Sequence, residues 1–244
     1  MIAISPLVII AGIIYSVIFF PDPTCSDGIQ NQGEVGVDCG DVCGGICQAP
    51  LPEVDIVWDR SFQVSDSIYN AVAYIENPNT DLVAYDVPYR FQIYDTNNIL
   101  ITERRGEMDI LSQPITAAFA AGINTRDREV GRTEFEFTEN PFWEEPNFET
   151  LRFEIRNRDF DLTDNPRLSL DILNSNTQPV RNIVLTAFIF DTNGDAVHVS
   201  QTTVSDLGIQ ESESVIFTWR EPFSEEDGVS YQIEIVPVSY ELGQ

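Results

Sequence analysis

Phe91-Gln-Ile-Tyr-Asp-Thr-Asn97 and Ala187-Phe-Ile-Phe-Asp-Thr-Asn193 are two versions of one element, an apolar run that closes on Asp-Thr-Asn. In the first, Phe91 and Ile93 alternate with Gln92 and Tyr94, the period of two that places alternate side chains on opposite faces of a β-strand. The continuations Asp95-Thr-Asn-Asn98 and Asp191-Thr-Asn-Gly194 read as hairpin turns, because Asn and Gly tolerate the positive φ such turns require.

Working outward, the chain overlays itself on both sides of this pair. Val54-Asp-Ile-Val-Trp-Asp-Arg-Ser-Phe62 matches Leu151-Arg-Phe-Glu-Ile-Arg-Asn-Arg-Asp159, each a first strand. Ala71-Val-Ala-Tyr-Ile-Glu-Asn-Pro-Asn-Thr80 matches Leu168-Ser-Leu-Asp-Ile-Leu-Asn-Ser-Asn-Thr177, so that Asn77, Asn79 and Thr80 overlay Asn174, Asn176 and Thr177. Beyond residue 20 no segment sustains a helical period. The expected fold class is mainly β: two tandem immunoglobulin-like β-sandwiches at 54–146 and 151–240, each of about seven short strands. Phe91, Ile93, Phe188, Phe190 and Phe217 are the expected core, each contributing roughly 1.5–3 kcal/mol on burial. The junction Glu144-Glu-Pro-Asn147 is short, which predicts a stiff rod of two domains.

Phe91-Gln-Ile-Tyr-Asp95, with the preceding Asn-Pro-Asn turn, resembles the FxLYD-type immunoglobulin-like domains of bacterial surface proteins, relatives of the late-embryogenesis-abundant type 2 sandwich. The second copy departs from the pattern, with Ala187 in place of the Phe and Phe190 in place of the Tyr. The resemblance implies an exported spacer or interaction domain without catalysis.

Residues 1–20 carry no charged side chain, and a helix of that length spans roughly 30 Å, the thickness of a bilayer core. A cleaved secretory signal is the rival reading, but no basic stretch precedes the run and no small-x-small site follows it. The expectation is an uncleaved single-pass anchor in the cell membrane, with the C-terminal body extracytoplasmic, at the cell surface or in the periplasm.

Residues 21–53 hold all four cysteines, Cys25, Cys39, Cys43 and Cys47, in a stretch with almost no apolar bulk. Such a segment builds no core and needs staples. Two disulfides are expected, with three pairings open; a four-thiolate zinc site is the competing reading. From Cys25 to Gly40 the segment resembles a Cys-rich motif of secreted bacterial proteins, C-x-D-G-I-x-N-x-x-E-x-G-x-D-C-G, which implies an extracytoplasmic stalk. Asp27, Asn31, Glu34 and Asp38, interleaved with glycines, have the oxygen chemistry of a Ca²⁺ loop, although solvated turn residues explain them as well. No other cofactor is implied.

Forty Asp and Glu against thirteen basic residues, all Arg, give a formal charge of −27, which repels phosphate backbones and excludes nucleic acid as a partner. Nucleophilic catalysis needs a positioned base, and the one histidine, His198, sits in Ala196-Val-His-Val-Ser200, a strand pattern. Glu144-Glu145 and Glu225-Glu226-Asp227 lie in turn-rich connectors, where solvated loops explain paired carboxylates. The chain therefore reads as a non-enzyme. Phe142, Trp143 and Phe148, gathered among prolines, are expected to pack between the domains, with a ligand-facing aromatic patch as the alternative. The functional expectation is a membrane-anchored spacer and protein-interaction module, its partner at the cell surface and its oligomeric state open. A carbohydrate- or calcium-binding accessory module is the alternative.

Overall fold

The computed structural model describes residues 29–37, 42–43, 51–146, 152–161, 165–220, 222–223 and 232–242. The anchor expected at 1–20 lies outside them, as do Cys25, Cys39, Cys47, Asp27, Asp38 and Phe148. The chain divides into two compact units, residues 1–51 and 52–244. In the first, the described residues form a turn in which the Glu34 amide donates to the Asn31 carbonyl at 2.8 Å.

Among its described residues the second unit is all β. Its first six strands are β1 (Asp55–Ser65), β2 (Ile68–Glu76), β3 (Ala84–Asp95), β4 (Leu100–Ile110), β5 (Ile115–Asn124) and β6 (Val130–Phe137). The second six are β7 (Phe153–Asp161), β8 (Arg167–Asn174), β9 (Val180–Phe190), β10 (Ala196–Leu207), β11 (Ser212–Thr218) and β12 (Gln232–Leu242). They form four antiparallel three-stranded sheets, ordered β1-β2-β5, β4-β3-β6, β7-β8-β11 and β10-β9-β12. The two sets of six follow one topology, strand for strand, as the internal repeat predicts. Among the described residues each set has six strands where about seven were expected; the last strand of each, β6 or β12, is an outer strand of its sheet.

Within each set the two sheets face one another. Ala71, Ala73 and Ile75 of β2 meet Tyr89, Phe91 and Ile93 of β3 in the first core. Leu168, Leu170 and Ile172 of β8 meet Ile183, Leu185 and Ala187 of β9 in the second, with Phe217 of β11. These are the inward halves of period-two strands.

A third apolar cluster joins the two sandwiches. Val72 and Ala117 on the outer face of β1-β2-β5 pack with Phe188, Val199, Val236 and Val238 on the outer face of β10-β9-β12, flanked by Trp58, Tyr74 and Phe190. The layers therefore stack in the order β4-β3-β6, β1-β2-β5, β10-β9-β12, β7-β8-β11. The expectation of a stiff rod of two domains is corrected in its arrangement: the sandwiches lie face to face and share an apolar seam. Phe188 and Phe190, expected inside the second sandwich, belong to this seam.

Sequence accounts for the asymmetry. In β3, Arg90, Gln92 and Tyr94 point away from the core, whereas Thr186, Phe188 and Phe190 hold the matching positions of β9. In β8, Ser169 and Asp171 point outward, whereas Val72 and Tyr74 hold those positions of β2. Strands buried on both faces lose alternation and read as continuous apolar runs. The two outer layers stay polar. Arg90 pairs with Glu103 at 3.7 Å and with Glu136, and Arg132 pairs with Glu134 and lies over the Tyr94 ring, across β4-β3-β6. On β7-β8-β11, the Ser214 hydroxyl and the Asn157 amide both donate to Asp171 at 2.6 Å.

Candidate functional site

The residues that carry the repeat pattern hold backbone. Asn77, 1% exposed, accepts from the Asn79 amide at 2.8 Å and donates to the Leu111 carbonyl at 3.0 Å. Asn174 repeats this: it accepts from the Asn176 amide at 2.9 Å and donates to Leu207 O at 3.0 Å and Gly208 O at 3.1 Å. The second Asn of each pair clasps the segment before its sandwich, Asn79 donating to Pro52 O at 2.9 Å and Asn176 to Arg152 O at 3.0 Å. Asn77 and Asn174 thereby satisfy buried main-chain groups that would otherwise lose water without replacement.

Asp95 and Asp191 lock the two hairpins. Asp95 Oδ1 accepts from Asn97 N at 2.9 Å and Ile99 N at 2.8 Å; Asp191 Oδ1 accepts from Asn193 N at 2.8 Å and Asp195 N at 2.9 Å. The turns use Asn98 at φ 63° and Gly194 at φ 86°, the left-handed geometry expected of them. The Arg128 guanidinium, with the Ile99 and Asn97 amides, holds the Asp95 carboxyl below the usual carboxylate range. The Asp195 amide does the same for Asp191, helped by Asn193. The Asp of the F-x-I-Y-D run is thus bonded within its own turn and to Arg128.

The other predicted residues separate. Glu34 is buried, accepts from the Asn31 amide at 3.2 Å and lies 3.2 Å from the Cys43 sulfur, which is not a free thiol. Among the described residues no three His, Cys, Asp or Glu gather as metal ligands. Phe142 is 79% exposed, while Trp143 packs on Ala84, Val87 and Ile110 of the first sandwich. Glu144 next to it exchanges two backbone hydrogen bonds with Val83, at 2.8 and 2.9 Å. This aromatic segment closes the first sandwich, and the joint between the sandwiches is made instead by sheet faces. Among the described residues no helix is long and apolar enough to cross a membrane.

The seam itself was not foreseen. Trp58 stacks on Tyr74 with centroids 5.3 Å apart, and Phe188 meets both rings edge-on at 5.8 and 5.2 Å. Three polar contacts bracket the aromatics. Tyr74 donates to Glu234 at 2.8 Å, Gln113 donates to Pro237 O at 2.6 Å, and Arg60, lying over Trp58, donates to Ala196 O at 3.1 Å. Burial, then the bond to Glu234 and the nearby carboxylate charges, push the Tyr74 phenol well above its ordinary pKa, so it stays a donor throughout the usable pH range. The absence of alternation in Ile183-Val-Leu-Thr-Ala-Phe-Ile-Phe190 was the available signal.

Where the seam splays, a cleft of about 470 Å³ opens between the sandwiches. Phe62 and Phe119 of the first line it with His198, Ser200, Trp219 and Arg220 of the second. The His198 ring stacks on Phe223 at 3.7 Å. The Trp219 indole N–H donates to Val199 O at 3.1 Å, and the Ser200 hydroxyl to Thr218 O at 3.1 Å. This cleft joins residues of both repeats, and it is the candidate site.

No family model matches the chain, and no curated protein matches it. Among solved structures it is similar to red sea bream transglutaminase, at 7% identity and a TM-score of 0.25, over 78% of this chain and 29% of that one. It is also similar to a beta-glucuronidase from glycoside hydrolase family 2, at 11% identity and a TM-score of 0.21, over 65% of this chain and 21% of that one. The chain spans less than a third of either, and scores this low carry no argument about fold or activity.

Proposed function

We propose that the protein is a non-catalytic, membrane-anchored surface spacer that presents a protein-interaction module outside the cytoplasm. In this reading residues 1–20 form the anchor, residues 21–53 a disulfide-stapled stalk, and the body a pair of immunoglobulin-like sandwiches akin to the FxLYD type. The observation that carries it is the aromatic seam from Trp58 to Phe188, which fixes the two sandwiches against one another as a spacer requires. The motif residues add support, since the paired Asn and the hairpin Asp of both repeats are engaged with backbone. Partner contact falls to the exposed end loops and sheet edges.

Crosslinking of the tagged full-length protein in its native membrane, followed by mass spectrometry, tests the reading. A reproducible protein partner joined through residues 54–244, with the protein retained in carbonate-washed membranes, is the expected result. Release from the membrane by carbonate, or a turnover activity of the purified protein, would overturn it.

A further inference from the structure

We propose that the cleft between the sandwiches binds a short carboxylate-bearing oligosaccharide, with its carboxylate on the Arg220 guanidinium. This goes beyond the spacer reading and stands without it.

Charge is the first argument. Roughly one residue in six of this chain is Asp or Glu, yet none of the described residues lining the cleft is acidic. Arg220 is exposed at its rim and has no ion-pair partner among the described residues, although carboxylates are abundant elsewhere. A guanidinium offers a planar fork that matches a carboxylate with two parallel hydrogen bonds. The molecule's overall negative field, which repels a long polyanion, is screened beyond about 8 Å at physiological salt, so a short ligand seated on Arg220 responds chiefly to that nearby cation.

The remaining lining separates a sugar from a peptide. An extended peptide docks by main-chain hydrogen bonds to an open strand edge. Here the Trp219 indole already occupies Val199 O, and the Ser200 hydroxyl occupies Thr218 O. What stays unused is a set of separate side-chain groups. Asn70 accepts from the Gly122 amide and keeps its own N–H groups. Gln63 and Gln201 donate to Asp66 O and Thr186 Oγ1 and keep their carbonyl oxygens. Single donors and acceptors suit ring hydroxyls, and the faces of Phe62, Phe119 and Trp219 suit the C–H faces of a sugar ring. A volume of about 470 Å³ takes two or three such rings.

Calorimetric titration of the full-length protein in detergent tests this with trigalacturonate, trimannuronate and sialyllactose, against methyl-esterified trigalacturonate and a nonapeptide carrying one central Asp among Val residues. At least one acidic sugar is expected to saturate the protein, with affinity falling as salt rises and the ester binding at least about tenfold more weakly. Arg220→Gln should lose about tenfold or more with an unchanged melting temperature, while Arg104→Gln, outside the cleft, should bind as the parent does. Flat curves with all three acidic sugars on folded protein would overturn the proposal. So would equal binding of the ester, an Arg220→Gln variant of undiminished affinity, or saturation by the peptide alone. None of these results bears on the anchor or the spacer reading, which the membrane crosslinking tests separately.

Discussion

Asn174→Ala removes the donations to Leu207 O and Gly208 O and the acceptor of the Asn176 amide, while Gly208 O keeps the Glu211 amide as a donor. The expected cost is about 1–3 kcal/mol, and Asn77→Ala should cost a similar amount by losing its bond to Leu111 O, which keeps the Gln113 amide, and its hold on the Asn79 amide; urea denaturation of each variant checks this. The equality matters, because it follows from the repeat: two sites in different sandwiches doing one job. Thr116 predicts the opposite sign. Its hydroxyl is fully buried with no hydrogen-bond partner, so Thr116→Val keeps the shape and removes an unmet polar group. That variant should match the parent or gain about 1 kcal/mol in the same assay, whereas a loss of more than that would mean the hydroxyl is bonded in solution. The Asn pairs were legible in the sequence as matching turn residues. What they clasp was not, since the carbonyls of Pro52, Leu111, Arg152, Leu207 and Gly208 lie 24 to 34 positions away and no local pattern reveals them.

At the scale of the element, each long hairpin depends on an ionised Asp. The carboxyls of Asp95 and Asp191 are held below the ordinary range in the folded state, Asp95 chiefly by Arg128 and Asp191 chiefly by the Asp195 amide. Their contribution is present in full above the unfolded carboxylate pKa of about 4 and is lost as pH falls through the lowered folded values. The Ile99 and Asp195 amide NMR shifts should therefore titrate with midpoints below about 4; midpoints at or above that would contradict the assignment. Strand identity was readable from period two and turn chemistry. The roles of β2 and β9 were not, because burial on both faces erases the alternation by which a strand's inner face is recognised. Ala187 and Phe190 looked like a decayed motif, but Phe190 and its neighbour Phe188 are the seam, and Ala187 faces the second core.

For the whole molecule, the seam makes two repeats into one unit, and the polar outer layers close the stack at both ends. Each interior face finds an apolar partner while Arg90, Arg132 and Asp171 face water, which is the arrangement expected of a short array with capped ends. A repeat read from sequence predicts two sandwiches but says nothing about whether they meet end to end or face to face. That is decided by which outer faces have lost their polar residues, a comparison between the copies rather than within either.

The most direct test gives β9 the polar residue that β3 carries at the matching position, Phe188→Gln in place of a ring that is 0% exposed. Urea unfolding is followed by tryptophan fluorescence, to which Trp58, Trp143 and Trp219 all contribute, and by far-ultraviolet circular dichroism, on the parent and on the variant. The parent should unfold in one transition that coincides by both probes, and the variant should split into two, with each sandwich keeping its strands until its own midpoint. A parent that already unfolds in two separate steps, or a variant that keeps a single coincident transition at the parent's midpoint, would contradict the seam as the joint that makes the two repeats one body.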